Sequence, residues 1–400
     1  MEDLRGGCQS SGAFPLHSVK HLYLHVPFCA HKCNYCAFVS QEFSIGKEKA
    51  FLHALEKELS CLKNFLLKPE TIFIGGGTPS CLSRPGLEKL MYLLNPFRHA
   101  GLKEFSVEIN PGSLDCEKAL ILFNNGINRV SMGIQSLNDQ VLKQLGRIHS
   151  ASQALQTFSL LREVGFQNIN LVVIFAVPGQ TQEVFKTTLA DILRLKSEHL
   201  SCYELTYEEG TPLTQWAQKT NFEADELLSC QMYDYLLNDA QKAGFCRYEI
   251  SNFSRPGKEC LHNIAYWRGS EYYGAGPSAC SLLKGVRYTH SPSLAFYCQS
   301  MESEDSFHQN MKWNDWQEDV LSPLARAGEI AAIGLRMACG WRFDEFYENI
   351  GYHLQDHWAE AMQKLCSRGD GEFFEGGFRL TPRGLRFADL AAEDFILLGV

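Results

Sequence analysis

Cys29, Cys33 and Cys36 lie in the run Pro27-Phe-Cys-Ala-His-Lys-Cys-Asn-Tyr-Cys-Ala-Phe38, a C-x3-C-x2-C spacing. Three thiolates on one short loop suit three irons of a [4Fe–4S] cube and leave the fourth iron without a protein ligand. An iron left open can bind a small molecule and pass it an electron. Two other chemistries fit the same residues. Zinc could take the three thiolates with His25 or His31 as fourth ligand, although zinc sites usually pair C-x2-C with a second distant pair, and none occurs here. The thiols could also be ordinary packed cysteines, since free Cys behaves as a small hydrophobe.

The three-then-two spacing after a strand-like run resembles radical S-adenosylmethionine (SAM) proteins. There the open iron takes the amino and carboxylate groups of SAM, and reduction splits SAM to a carbon radical, chemistry that belongs to the cofactor.

The elements that must position the loop read clearly. Short apolar runs at 21–26, 71–75, 104–109, 129–133, 169–175 and 200–205 predict strands. Amphipathic runs at 45–65, 84–95, 115–125, 150–164 and 181–196 predict helices; in the first, Phe51, Leu52, Leu55, Leu59 and Leu62 recur at helical spacing. Alternating strands and helices imply a parallel sheet with right-handed crossovers. Six units predict an α/β fold: a partial (β/α)6, TIM-like barrel over 19–240. Barrel chemistry sits on the loops after the strands. The cysteine loop follows the first strand, Gly75-Gly-Gly-Thr-Pro79 the second, Glu108-Ile-Asn-Pro111 ends the third and Gly133-Ile-Gln-Ser136 the fourth. All the unusual residues therefore fall on one rim.

Residues 1–18 are Gly/Ser-rich and expected to be loose. Residues 241–320 read as an aromatic, Gly-rich connecting region that is polar over 302–320. Residues 321–400 read as a mainly helical C-terminal domain, with helices at 323–338 and 354–368 and a closing hairpin and helix resembling a winged helix.

Bulk properties exclude several classes. The chain has 400 residues, is 45% apolar and carries a net charge of −9, which argues against general nucleic-acid binding. Fifteen cysteines are an odd, scattered set, and residues 1–20 lack an apolar leader core. A reducing cytoplasm is therefore expected. No run of eighteen apolar residues predicts a membrane span, and peripheral membrane contact stays open.

Other residues gain meaning from position. Gly75–Gly77 let backbone approach a ligand, or simply make a tight turn. Tyr35, between two cysteines, could stack on an adenine or pack in the core. Glu108, at a strand end, needs a cationic or hydrogen-bonding partner. It could face an ammonium group or make a structural ion pair. Gln135 and Arg147 could bind ribose and carboxylate; Arg147 could equally be a solvated residue. His262-Asn-Ile-Ala-Tyr-Trp267 joins a histidine to two aromatics, a haem-like set or a packed core.

Taken together, Cys29…Cys33…Cys36-Ala-Phe, Gly-Gly-Gly-Thr-Pro, Glu108-x-Asn-Pro, Arg129-Val-Ser-Met-Gly-Ile-Gln-Ser, Leu145-Gly-Arg-x-His149 and Pro178-Gly-Gln resemble the HemW branch. This is the haem-chaperone branch of the oxygen-independent coproporphyrinogen III oxidase superfamily. Phe38 stands where the oxidases usually carry a fourth cysteine, and His-Asn-x-x-Tyr-Trp is associated with haem in the HemW branch. The resemblance implies Cys29, Cys33 and Cys36 as cluster ligands. It implies Tyr23, Gly76, Gly77, Thr78, Glu108, Gln135 and Arg147 as SAM contacts, and His262 near haem. It further implies acceptor haemoproteins, for example respiratory ones, and an electron donor such as flavodoxin or ferredoxin. Haem carriage is favoured over turnover; the alternative is SAM-dependent radical decarboxylation of coproporphyrinogen III.

Three departures bear on SAM. Val172 replaces a carboxylate that the family places near the ribose. An unpaired hydroxyl there costs about 1–3 kcal/mol, a roughly ten- to hundredfold weaker complex. Ala176 replaces a usual glycine, and Cys280 stands where the family often has histidine.

Overall fold

The computed structural model describes residues 19–64, 68–302 and 313–396. The expectations for 1–18 and for the polar stretch at 303–312 lie outside the described residues.

Six strands pair in chain order, all parallel: β1 (His21–Val26), β2 (Thr71–Gly76), β3 (Glu104–Ile109), β4 (Arg129–Gln135), β5 (Ile169–Phe175) and β6 (His199–Glu204). Helices Ile45–Asn64, Arg84–Leu94, Cys116–Asn124, Ala151–Val164 and Gln182–Arg194 make the crossovers. Their ends follow local chemistry. Ser150 and Gln153 form a capping box, and Gly165 ends the same helix in the left-handed conformation.

Each strand alternates. Leu22, Leu24, Ile72, Ile74, Phe105, Val107, Val130, Met132, Leu171, Val173 and Leu200 are buried in the core shared with the helices. Residues of the other parity are polar or aromatic and face inward, where Asn170 Nδ2 donates to Ser131 Oγ (3.0 Å) and Ser201 Oγ (2.9 Å) across three strands. The apolar parity stabilises the sheet–helix layers, at about 1.5–3 kcal/mol for each large side chain removed from water. The polar parity leaves a lumen that a ligand can enter.

The sheet extends past the six strands. β7 (Cys246–Arg247) and β8 (Asn252–Ser254) add antiparallel strands beside β6. β9 (Tyr272–Ala275) runs parallel to β1 and carries β10 (Cys280–Leu283), β11 (Val286–Thr289) and β12 (Gln317–Val320) antiparallel. One twelve-stranded open sheet results, in the order β12-β11-β10-β9-β1-β2-β3-β4-β5-β6-β8-β7. The stretch read from sequence as a connecting region thus supplies strands to both edges. These strands are two to four residues long, too short for a period-two signal.

A second core belongs to the C-terminal part, around Trp341, Phe346, Trp358 and Phe378. Helices Pro323–Gly334 and Leu354–Arg368 pack there with the hairpin Gly371–Phe374 and Gly377–Leu380, extended by Trp341–Arg342. No helix among the described residues is long and apolar enough to cross a membrane.

Candidate functional site

The cysteine loop leaves β1 and is closed at its base. Phe28–Cys29 pairs with Gln41–Glu42, and Gln41 N–H donates to Pro27 O (2.8 Å). Asn34 ties the tip of the loop to the segment after β4, through its N–H to Leu145 O (3.1 Å) and its side-chain amide to Gln144 O (3.1 Å). Cys29, Cys33 and Cys36 are free thiols held on this frame.

Among the described residues no group of three His, Cys, Asp or Glu side chains is placed to hold a metal ion. His25 has both ring nitrogens engaged, Nε2 with Val39 O (2.8 Å) and Nδ1 with Tyr23 Oη (3.2 Å). His31 is exposed.

The glycine turn after β2 packs directly on the first thiol. Gly76 has φ +112°, open to glycine at little cost. A Cβ on Gly77 would lie 2.6 Å from Phe28 O and 3.0 Å from Cys29 Sγ. The Thr78 hydroxyl is 3.5 Å from Cys29 Sγ and accepts from Asn110 Nδ2 (2.7 Å). Asn110 Oδ1 in turn receives Arg147 Nη2 (2.5 Å), which also donates to Gly133 O (2.8 Å), while Nη1 points at Cys33 Sγ (3.4 Å). Asn110 therefore links the glycine turn to the arginine. Sequence reading placed it in the Glu-x-Asn-Pro motif without giving it a role; its place just past a strand end was the available signal. A cavity of about 600 Å³ opens here, walled by Ala30, His31, Cys33, Thr78, Cys81 and Arg147 among others.

Deeper in the lumen, burial raises the Glu108 carboxyl to about 7, opposed by the Gly76 N–H and the charge of Arg129. Glu108 makes no ion pair among the described residues, so the structural-pair reading lacks a partner. Tyr23 lies in the same space; burial and the Glu108 charge raise its phenol. Gln135 has φ 58° at a register slip in β4, and its Oε1 is buried without a hydrogen-bond partner. Val172 faces inward between Gly133 and Ser201. Ala176 has φ 59°, so the replaced glycine now carries backbone strain.

Tyr35 packs against a satellite cluster containing Val141, Leu145 and Ile174, and burial raises its phenol, opposed by the nearby Arg147 charge. His262 sits at the opposite, N-terminal end of the strands. Its Nδ1 bonds Thr71 Oγ1 (2.7 Å) and its Nε2 bonds Tyr266 Oη (2.9 Å). Its ring stacks on Phe73 with centroids 5.3 Å apart. Burial lowers its pKa to about 3, so the ring is neutral. His262 is thus part of the lumen floor, apart from the cysteine rim, because the helix Leu261–Trp267 plugs the barrel beneath β1 and β2.

Three features fit a cube with SAM beside it. The donor set is three soft thiolates. A cradle at Gly76–Gly77 would be filled by any Cβ. A buried carboxylate and an unpartnered amide oxygen, Glu108 and Gln135, face the lumen as acceptors for an amino group and hydroxyls. Val172 offers no such acceptor.

Comparisons with known proteins agree with this geometry. The Radical SAM superfamily profile matches residues 23–192. The chain is 32% identical over 377 residues to the heme chaperone HemW of Lactococcus lactis, covering 94% of this chain and 97% of that protein. It is 32% identical over 371 residues to the HemW of Bacillus subtilis, covering 92% and 96%. In fold it matches the coproporphyrinogen III oxidase HemN of Escherichia coli, a radical SAM enzyme, with a TM-score of 0.79, 22% identity, and 95% and 91% of the two chains covered.

Proposed function

Because this chain belongs to the HemW family of radical SAM proteins, we propose that it binds haem and passes it to acceptor haemoproteins. Cys29, Cys33 and Cys36 would hold a [4Fe–4S] cluster. Gly76, Gly77 and Thr78 would receive the amino-acid part of SAM, with Glu108 as the acceptor for its amino group and Arg147 for its carboxylate; Tyr23 and Gln135 would line the remainder. When bound, the cluster supplies one-electron chemistry. The observation that carries this reading is the gathering of three thiols, the glycine cradle, Arg147, the buried Glu108 carboxyl and the unpartnered Gln135 oxygen at one end of the parallel strands.

Further details belong to the same proposal. Respiratory haemoproteins are the proposed acceptors and a flavodoxin or ferredoxin the proposed electron donor. The proposed compartment is the cytoplasm, with peripheral membrane contact. Haem ligation at His262 would free one ring nitrogen from Thr71 or Tyr266 while the other keeps its bond, so that residue enters through a rearrangement of the lumen floor. Tyr35 supports the loop by packing.

The test is an anaerobic haem titration with a parallel coproporphyrinogen III assay. The expected result is four irons per chain, a Soret band on adding haem, transfer of that haem to an apo-haemoprotein, and no protoporphyrinogen IX formed with SAM and reductant. Turnover to protoporphyrinogen IX would replace the proposal with the oxidase reading. A colourless protein with one zinc would overturn both. A Soret band unchanged in His262→Ala would remove that residue from the site.

A further inference from the structure

The helix Leu261–Trp267 is held at both ends. At its start the Leu261 N–H donates to Glu104 Oε2 (2.7 Å), and His262 bonds Thr71 Oγ1 (2.7 Å) on the lumen floor. At its end stands Arg268. The guanidinium donates to Gly340 O (2.8 Å) through Nη1 and to Cys339 Sγ (3.1 Å) through Nη2. Its Nε pairs with Glu345 Oε1 (3.1 Å), and the group lies over the Trp341 ring at 4.5 Å. Every one of these partners belongs to the C-terminal part, whose core contains Trp341. The planar fork of arginine makes this a several-point hold that a single ammonium could not reproduce.

The same contact is not fully satisfied. Trp267 Nε1 and Arg336 Nε are both buried without a hydrogen-bond partner, although the Arg336 guanidinium lies over the Trp267 ring at 5.3 Å. Buried donors left without acceptors cost free energy, so the closed contact carries a penalty that separation relieves. Gly269, next along the chain, has φ +68°, and a Cβ there would lie 2.6 Å from Ile330 Cγ2. The helix end is thus seated tightly on the C-terminal part while two donors at that seat go unpaired. Tyr266, four residues after His262 on the same helix, bonds its Nε2 (2.9 Å) and would travel with it. Thr71 and the Phe73 ring belong to β2 and would stay.

We infer that Arg268 is a positioning residue for haem: it clamps the helix Leu261–Trp267 to the C-terminal part and so keeps His262 bonded to Thr71 until the clamp lets go. The inference rests on the reading of His262 as a haem contact. Release lets the helix shift as a unit. The Thr71 bond and the Phe73 stack break, Tyr266 keeps its bond, and one ring nitrogen is free to ligate iron. Only the fraction of molecules in the released state takes haem, so the clamp lowers the apparent affinity by that fraction. In a protein that hands its haem on, re-closure of the same clamp favours release.

The test uses the full chain, reconstituted anaerobically, as wild type, Arg268→Ala, Glu345→Gln, His262→Ala and the double variant His262→Ala/Arg268→Ala. Ferric haem affinity is read from the Soret band, and deuterium exchange over 261–267 reports the hold on the helix. With about one wild-type molecule in ten released, Arg268→Ala binds haem about tenfold more tightly, with faster exchange over the helix. Glu345→Gln removes one polar anchor and gives a smaller gain in the same direction. His262→Ala binds haem more weakly, and adding Arg268→Ala to it gives no gain; a merely structural role would loosen the helix in both backgrounds without tightening haem in either. Equal or weaker haem binding in Arg268→Ala, or in Glu345→Gln should Arg268→Ala not fold, would overturn this inference and leave the haem reading standing. So would a gain that persists without His262. Haem affinity unchanged in His262→Ala would instead overturn the reading of His262 on which the inference rests.

Discussion

His290 offers a quantitative test of how the cysteine-bearing edge of the sheet is held. The ring is fully buried between two carboxylates, with Nε2 3.0 Å from Glu58 Oε1 and Nδ1 3.0 Å from Asp315 Oδ2. Glu58 belongs to the helix behind β1 and also accepts from Tyr297 Oη (2.6 Å), Tyr273 Oη (2.9 Å) and Gly276 N (3.0 Å). The Trp316 indole N–H lies 2.8 Å from the same Nε2. A neutral ring accepting that N–H would turn its lone pair toward the Glu58 carboxylate. The cation donates to both carboxylates and cannot accept the Trp316 N–H, so the indole bond favours the neutral ring while the two carboxylates favour the cation. Burial disfavours the charge, but Glu58 and Asp315 outweigh it and raise the pKa from 6.5 to about 9. A folded value above the unfolded one means that the stabilisation is fully present below pH 6.5 and is lost as pH rises through 9. Its size is about 3 kcal/mol at pH 6 and about 2.5 kcal/mol at pH 7, falling below ~1 kcal/mol at pH 9. In His290→Gln the two carboxylates face each other without a cation, at a cost of roughly 3–5 kcal/mol near neutral pH. Urea unfolding of both proteins at pH 6.5, 7.5, 8.5 and 9.5 reads the difference, in which other titrating groups cancel. The gap should narrow by about 2 kcal/mol or more across that range. A gap independent of pH would show a neutral ring and refute the charge argument.

Glu108→Gln separates stability from binding. The Glu108 carboxyl is raised to about 7, so its neutral form contributes stability below pH 4.5 that is lost as pH rises through 7. The side chain is partly reachable from the lumen, so the variant should gain roughly 1–3 kcal/mol at pH 8, match the wild type at pH 4, and lose SAM affinity at least about tenfold; a variant weaker in both would remove Glu108 from the proposed amino-group contact. Ala176→Gly relieves a residue at φ 59° and should raise unfolding stability by about 1 kcal/mol; no gain would mean the local backbone is not strained. Gly77→Ala places a Cβ against Phe28 O and Cys29 Sγ and should cost about 1–3 kcal/mol in thermal or urea unfolding, with iron content below that of the wild type; unchanged iron and stability would show that the cradle can widen.

The βα frame was legible because its strands are six or seven residues of alternating parity and its helices are long enough to show an apolar face. The observed β1, β3 and β5 match the expected 21–26, 104–109 and 169–175 residue for residue. The outer strands were not legible. β9 to β12 are four residues each; β9 pairs with β1 and the others add outward in turn. A closing hairpin was expected without its bounds; the structure places it at Gly371–Phe374 with Gly377–Leu380. The C-x3-C-x2-C loop, the triple glycine and Glu108 were visible as types and spacings. Val172 and Ala176 stood out only against a resemblance.

The amino-acid order alone set the rim: each unusual residue follows a strand of readable parity, and parallel strands deliver their C-terminal loops to one end whatever else the chain does. Tertiary structure decided the rest, because contacts between distant segments leave no local period. It put His262 on the floor of the lumen, at the N-terminal ends of the strands, with both nitrogens bonded. It joined Asn110 to both Thr78 and Arg147, residues that no local period connects.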